Sequence, residues 1–450
     1  MAIRYLLIIW LSFLLLVPTA GAETAPAPEI ETLRVEIAAL RQEYEGRIRE
    51  LETRVAAAEQ KSQSGPVATS APQLAVEPAS AGASASAFNP ALGAIFQGQV
   101  WGYGHDPDDY RIPGFPLAGE AGPVERGLGL GETELIINAN VDDKFTAWLT
   151  APIVVEDGEA GIEVEEAWVE TTALPAGFAA RFGRFFSGIG YQNNRHAHAW
   201  DFLDQPLAYQ AFLGEQYLDD GMQLRWLAPT DLFLEFGGEV LRGGRYPAGG
   251  SKDHGFGTRA FYVHSGGDLG DSSSWLAGLS WLHAEAGDRE SGNGDAPLLF
   301  NGDTELAIAQ LVWKWSPHGN WREKNLIVQG EFLWRNEDGS YTLPGDVTSA
   351  YDTDQSGWYV QAVYQPFPRW RIGARFDALS ADDPGPAFAG TELALTGSDP
   401  KRYTFMLDWS NSEFSRLRLQ YTYDDAGLAS DSQWGLQYIH SIGAHGAHAF

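Results

Sequence analysis

From Ser415 to Tyr423 the chain sets Leu417, Leu419, Tyr421 and Tyr423 on one side and Arg416, Arg418, Gln420 and Thr422 on the other. A period of two marks a strand, because successive side chains point to opposite faces of a sheet. The same alternation separates Trp370, Ile372, Ala374 and Phe376 from Arg371, Arg375 and Asp377, and it separates Tyr403, Phe405, Leu407 and Trp409 from Arg402, Thr404 and Asp408. Asn325 to Arg335 sets Leu326, Val328, Phe332 and Trp334 against Asn325, Gln329, Glu331 and Arg335, with Ile327 and Leu333 as exceptions. Such strands are expected near residues 92–103, 129–140, 143–154, 162–173, 178–187, 219–228, 231–242 and 257–266. They continue near 273–285, 304–315, 323–335, 356–366, 369–379, 401–410, 414–424 and 432–442, sixteen in all.

A soluble sandwich alternates too, so the connections have to choose. Tight links fall at Asn140 to Asp143, Leu174 to Gly177, Ala228 to Asp231, Pro366 to Pro368 and Asn411 to Glu413. Between them come the mostly longer segments 104–128, 155–161, 188–218, 243–256, 286–303, 336–355 and 380–400. Short turns at one rim and long loops at the other are how membrane barrels are built, with the turns periplasmic. The expected fold is all-β: a sixteen-stranded antiparallel transmembrane β-barrel over residues 87–450, preceded by a short N-terminal coiled-coil helix. The alternative is a secreted β protein. In the barrel, the apolar face of each strand meets lipid and the polar face lines a lumen.

The start of the chain agrees. Residues 1–22 carry Arg4, the apolar run Leu6 to Val17 and the small residues Ala20-Gly21-Ala22, the pattern of a secretory signal peptide. Between Ile30 and Ala58 apolar residues recur at threes and fours, so 23–60 reads as a periplasmic coiled coil with a stutter at Tyr44. Its core positions suit a dimer or a trimer. Residues 61–86 are an Ala/Ser/Pro-rich linker. Export without a helical anchor, 16 Trp and a terminal Phe450 point to the outer membrane of a Gram-negative bacterium, with outer-membrane lipid as a partner. The chain has no Cys, which removes thiol nucleophiles and Cys metal sites, and its net charge of −30 argues against nucleic acid.

Candidate chemistry concentrates in the lumen. Arg371, Arg375, Arg402, Arg416 and Arg418 lie on three successive strands and should project inward, either as a basic wall that sets pore electrostatics or as a ladder paired with acids such as Asp377 and Asp408. Segment 188–218 holds Trp200, Phe202, Phe212 and Leu213 and is expected to fold back into the barrel mouth. Its Asp201, Asp204 and Glu215 would then face the arginines across a constriction. In the same segment His196, His198 and Asp201 form a weak candidate Zn²⁺ set, against an ordinary hydrogen-bonded loop. Asp106, Asp108 and Asp109 are a candidate for Ca²⁺, against a solvated loop, and His440, His445 and His448 are a looser cluster. The residues around Ser187 and the Gly-rich run at 127–131 match no nucleophile elbow or phosphate loop, so no enzyme is expected and no cofactor is required.

Two blocks carry a resemblance: "DPDDYRIPGFPLAGEAGP...GLGLGETELIINANVDDKF" and "RFFSGIGYQNNRHAHAWDFLDQPLAYQAFLG...DDGMQLRWLAPTDLFLEFGGEVLRG". Over roughly residues 88–450 the chain resembles a proteobacterial outer-membrane family often labelled zinc-regulated TonB-dependent receptors. That label implies a plugged barrel of about twenty-two strands. The overall plan, a coiled coil, a linker and sixteen strands with a long loop after the fifth, is also similar to trimeric porins. The strand count follows the porin plan, which implies a homotrimer passing small hydrophilic solutes, with metal uptake and envelope tethering as the alternative functions.

Overall fold

The computed structural model describes residues 90–119, 121–156, 159–249, 255–292 and 297–443. The signal peptide, the coiled coil and the linker all lie outside these, as do His445 and His448. The first half of the sheet is β1 (Ala91–Gly102), β2 (Gly127–Leu130 and Thr133–Asn140), β3 (Phe145–Glu156), β4 (Glu159–Ile162 and Glu166–Thr171), β5 (Phe178–Phe186), β6 (Leu218–Leu227), β7 (Phe233–Leu241) and β8 (Thr258–Asp268). The second half is β9 (Ser273–Ser291), β10 (Leu298–Trp315), β11 (Asn325–Leu343), β12 (Val347–Phe367), β13 (Trp370–Ala381), β14 (Lys401–Ser412), β15 (Ser415–Asp425) and β16 (Asp431–Gly443). Both pieces of β2 pair with β1, and both pieces of β4 pair with β3. Each is therefore one strand interrupted by a bulge.

Every strand runs antiparallel to its neighbours in chain order, and β16 pairs with β1 from Gly93↔Gly443 to Gly102↔Trp434. That last ladder closes a barrel of sixteen strands and leaves the sheet no open edge. It is not the wider barrel that the TonB-dependent label implies.

The alternation sorts as a membrane requires. Along β15, Leu419 and Tyr421 are each 47% exposed on the outside, while Arg418, Gln420 and Thr422 between and beside them are at most 1% exposed on the inside. Outside, near the short turns, aromatic rings pair across strands: Trp370 with Trp409 at 6.2 Å, and Phe178, Trp226 and Phe236 at 6.1 and 5.6 Å. Amphipathic rings at this level suit the boundary between lipid and water.

Two expected long connections turn out to be strand. Segment 336–355 is a hairpin, with β11 and β12 paired from Asn325↔Gln365 through Leu343↔Val347 around a turn at 344–346. Within segment 286–303, residues 286–291 and 298–303 likewise continue β9 and β10. The stretch Asn336 to Ser340 has no apolar outer face, which is why it reads as loop, yet a strand beyond the bilayer needs none. Its inner face supplies the cohesion: Phe300, Tyr341, Tyr351 and Phe388 form a buried aromatic cluster with ring separations of 4.9–6.3 Å. The connection 155–161 is also a tight hairpin, and conversely the turn at 316–324 is longer than its rim would suggest.

Candidate functional site

The connection between β5 and β6 folds into the barrel. Its ends meet at the base, where the Ser187 N–H donates to the Tyr217 carbonyl at 3.1 Å and Asn193 Nδ2 donates to both the Ser187 and Tyr217 carbonyls at 2.9 and 2.8 Å. Inside it the chain makes a short helix, α1 (Leu207–Leu213), every residue of which is buried. Gly214, with φ 64°, ends α1 in the left-handed conformation that favours glycine. The apolar face of α1 packs on inward-pointing wall residues, Leu282, Leu306, Leu333 and Leu379, and Phe212 meets Phe115 at 5.9 Å. A Cβ on Gly357 would lie 2.9 Å from Ala208 Cβ, so this strand glycine lets α1 rest directly on the wall.

A second segment enters the lumen. Ile112, Phe115 and Leu117, between β1 and β2, belong to the same buried cluster as α1. The apolar content of "YRIPGFPL" was the available signal, and the wall leucines had one too. Leu333 breaks the alternation of β11 because it faces α1 instead of lipid.

The arginines and the loop acids touch. Asp201 Oδ1 accepts from Arg371 at 2.8 Å, and Asp204 accepts from Arg375 at 3.0 Å, Arg402 at 2.9 Å and Gln420 at 2.8 Å. The wall adds its own acids: Asp377 to Arg375 at 2.9 Å, Asp424 to Arg402 at 2.8 Å, and Asp408 to Arg371 at 2.6 Å and Arg418 at 3.2 Å, with Arg416 at 3.7 Å. Five arginines thus meet five aspartates, and the ladder is formally neutral. The expected gap between opposed charged walls is closed at Asp201 and Asp204 by direct pairing. Arg416 Nη2 and Arg418 Nη1 also donate to the loop carbonyls of His198 and Phe202, at 2.5 and 3.1 Å. Glu215 is placed elsewhere, half-buried just past the end of α1 at φ 92°.

Wall carboxylates also take the loop's backbone, a role that the sequence did not reveal. Asp377 accepts the first N–H of α1 at Leu207 (3.0 Å), Glu239 accepts Gly188 N–H (2.8 Å), and Glu331 accepts Tyr191 and Gln192 N–H (3.2 and 3.0 Å). Glu331 also receives the hydroxyls of Tyr209 and Tyr359 at 2.8 and 2.7 Å. Buried backbone donors need partners, and here the barrel supplies them.

His196 and His198 do not share Asp201. Their rings stack at 5.6 Å beside β2 and β4, where His196 contacts Glu165 and Glu166, both at 3.0 Å, and His198 contacts Glu134 at 2.6 Å. Asp201 instead turns to Arg371, so the expected His196, His198 and Asp201 set is corrected to one of histidine with glutamates. Burial works against protonation of His196, and the nearby carboxylates outweigh it and raise its pKa well above the ordinary value. The acids proposed for Ca²⁺ sit on an exposed turn, where Asp106 Oδ1 accepts Asp108 N–H at 3.2 Å.

Burial alone would raise the carboxyls of Asp201 and Asp204, but Arg371 beside the first, and Arg375 and Arg402 beside the second, bring both below the usual range. A depressed folded pKa stabilises above the unfolded value of about 3.9 and loses that contribution as pH falls through the folded value. Protease resistance of the loop in the folded barrel is therefore expected to stay constant from pH 7 to about 5 and to fall only below about pH 4. Cleavage that already begins at pH 6 would show that release of the loop in acid is governed by groups other than Asp201 and Asp204.

No family model matches the chain. Solved structures similar to it include the outer membrane channel DcaP of Acinetobacter baumannii (TM-score 0.49, 12% identity, covering 79% of this chain and 97% of that one). Others are Pseudomonas putida OprB (0.48, 10%, 79% and 94%) and an anion-selective porin from Comamonas acidovorans (0.45, 12%, 79% and 99%). An uncharacterised protein of Aquifex aeolicus strain VF5 is 30% identical over 355 residues, covering 72% of this chain and 71% of that protein. The chain belongs to the family of that Aquifex aeolicus protein.

Proposed function

We propose that this protein is an outer-membrane porin, in which small hydrophilic solutes or ions diffuse passively through the part of the lumen that the folded loop leaves. The observation that carries the reading is the loop itself: residues 187–217 lie inside a closed sixteen-strand barrel and are held there by polar contacts with the wall and by the apolar packing of α1 on it. Barrels of about 16–18 strands enclose an aqueous channel, and an inward loop sets its width. The lipid-facing belt supports the outer membrane as its location, and the heptad seam at 30–58 supports an oligomer, read here as a trimer.

The neutral ladder makes a direct test available. Replacing Asp201, Asp204 and Glu215 with Asn, Asn and Gln leaves Arg371, Arg375 and Arg402 short of partners. In planar bilayers under a salt gradient, the reversal potential should shift toward anion selectivity. An unchanged reversal potential would place all three acids outside the conducting path, and a bilayer with no conductance steps at all would sink the porin reading.

A further inference from the structure

Where the loop passes β2 and β4, it brings His196 and His198 among four glutamates. Glu134 and Glu166 come from the two strands, Glu165 from the bulge of β4, and Glu132, beside Glu134 and Glu165, from the bulge of β2. These are not surface acids. The side chains of His196, His198, Glu134, Glu165 and Glu166 are 0–13% exposed, and the edge of Phe186 closes over His196 at 5.4 Å. Among the described residues, no arginine or lysine lies within ion-pair distance of Glu165 or Glu166; both pair with His196.

The geometry of His196 is the informative part. One ring nitrogen, Nε2, faces Glu166 Oε2 at 3.0 Å. The other, Nδ1, faces two carboxylate oxygens at once, Glu165 Oε2 at 3.0 Å and Glu134 Oε2 at 3.7 Å. One ligand atom from each of Glu134, Glu165 and His196 lies within 4.8 Å of the others. Donor atoms about 2.0–2.2 Å from a tetrahedral ion stand roughly 3.4 Å apart, and the two Nδ1 separations bracket that edge. A carboxylate on the far nitrogen fixes the tautomer and turns the near nitrogen toward the ion.

We propose that this cluster binds one divalent cation of the zinc type, with His196 Nδ1, Glu134 and Glu165 as its ligands and Glu166 as a positioning residue that holds the Nε2 proton. Two carboxylates balance the ion's charge. An imidazole nitrogen in the set selects a borderline transition metal over Ca²⁺ or Mg²⁺, which take oxygen ligands. Binding would tie the loop to β2 and β4 on the side where His198 already accepts from Arg416 of β15. The donor set joins residues 134, 165 and 196 and differs from the one that the loop sequence suggested.

The test uses the full chain, folded in detergent, stripped of metal with a chelator and titrated with Zn²⁺ by calorimetry, and separately with Co²⁺ by visible absorption. One Zn²⁺ per chain and the intense Co²⁺ bands of four-coordinate geometry are expected. Glu166→Gln should weaken binding about 10–100-fold, Glu165→Gln at least as much, and His318→Asn, on an exposed turn, not at all. Folded protein that binds no Zn²⁺, or that binds it equally well as Glu165→Gln and Glu166→Gln, overturns the proposal. If a glutamine variant does not fold, the Co²⁺ spectrum of the native chain decides, since an octahedral spectrum excludes the site. Binding is read without any current, so a silent bilayer leaves this result untouched.

Discussion

Replacing residues 190–214 with a short Gly-Ser turn is expected to raise single-channel conductance several-fold, because it removes α1 and its flanking turns from the lumen of a barrel wide enough to conduct water and ions. The excision is geometrically mild. The loop leaves and returns at one point, where Ser187 N–H meets the Tyr217 carbonyl at 3.1 Å and the Phe186↔Leu218 pair ends the β5–β6 ladder. The hairpin therefore keeps its register while the packed material above it goes. Segment 103–126 loses the contact of Phe115 with Phe212 but keeps its bonds from Tyr110 to Asp424 and from Gln355 to the Gly114 carbonyl, so the widening comes from α1 and its flanking turns. The check is bilayer recording of the native and shortened chains, both shown to be folded by the heat-dependent shift in gel mobility typical of barrels. Equal conductance would mean that solutes do not pass where the loop lies.

The outer surface of the barrel was legible in the sequence because lipid imposes one rule on every strand it touches. Trp370, Ile372, Leu417 and Leu419 follow that rule, and all sixteen strands were located by it. The rule lapses beyond the bilayer, so the paired extension within segment 336–355 read as loop. It also lapses on the inner face, where α1 needs an apolar seat and Leu282, Leu306 and Leu333 point inward. Of the candidate site, the arginines and the tendency of the loop to fold back were readable from composition. Their partners were not: whether Asp201 meets Arg371 or His198 depends on how the loop turns, and Glu134 and Glu165 lie 62 and 31 residues before His196 in the chain. Spacing within one segment can suggest ligands only from that segment.

The ladder and the histidine cluster hold neighbouring parts of one loop through different chemistry. Asp201 and Asp204 bind it to β13 and β14 by charge, whereas Asp377, Glu239 and Glu331 bind its backbone from the wall. Loss of one loop acid leaves the other contacts in place. Loss of a wall residue on which several groups converge does not.

Asp408 is that residue, and Asp408→Asn is expected to be among the most damaging single substitutions in the lumen. Arg371 and Arg418 both bond to its Oδ2, Arg416 stands 3.7 Å away, and the carboxylate is fully buried. Asparagine keeps the volume and removes the charge, leaving three guanidinium groups with Asp201 as the remaining acid that pairs with one of them. Taking one partner from a buried ion pair costs about 3–5 kcal/mol, because the other charge stays desolvated. The coupling has a signature that simple loss of packing lacks: adding Arg418→Met to Asp408→Asn should recover part of the stability, so the double change costs less than the sum of the two singles. Urea unfolding of the refolded barrel, followed by tryptophan fluorescence and gel mobility, measures both. A single-variant loss below about 1 kcal/mol, or strictly additive losses, would mean that the three arginines are held by contacts other than Asp408 and that the ladder does not anchor the loop.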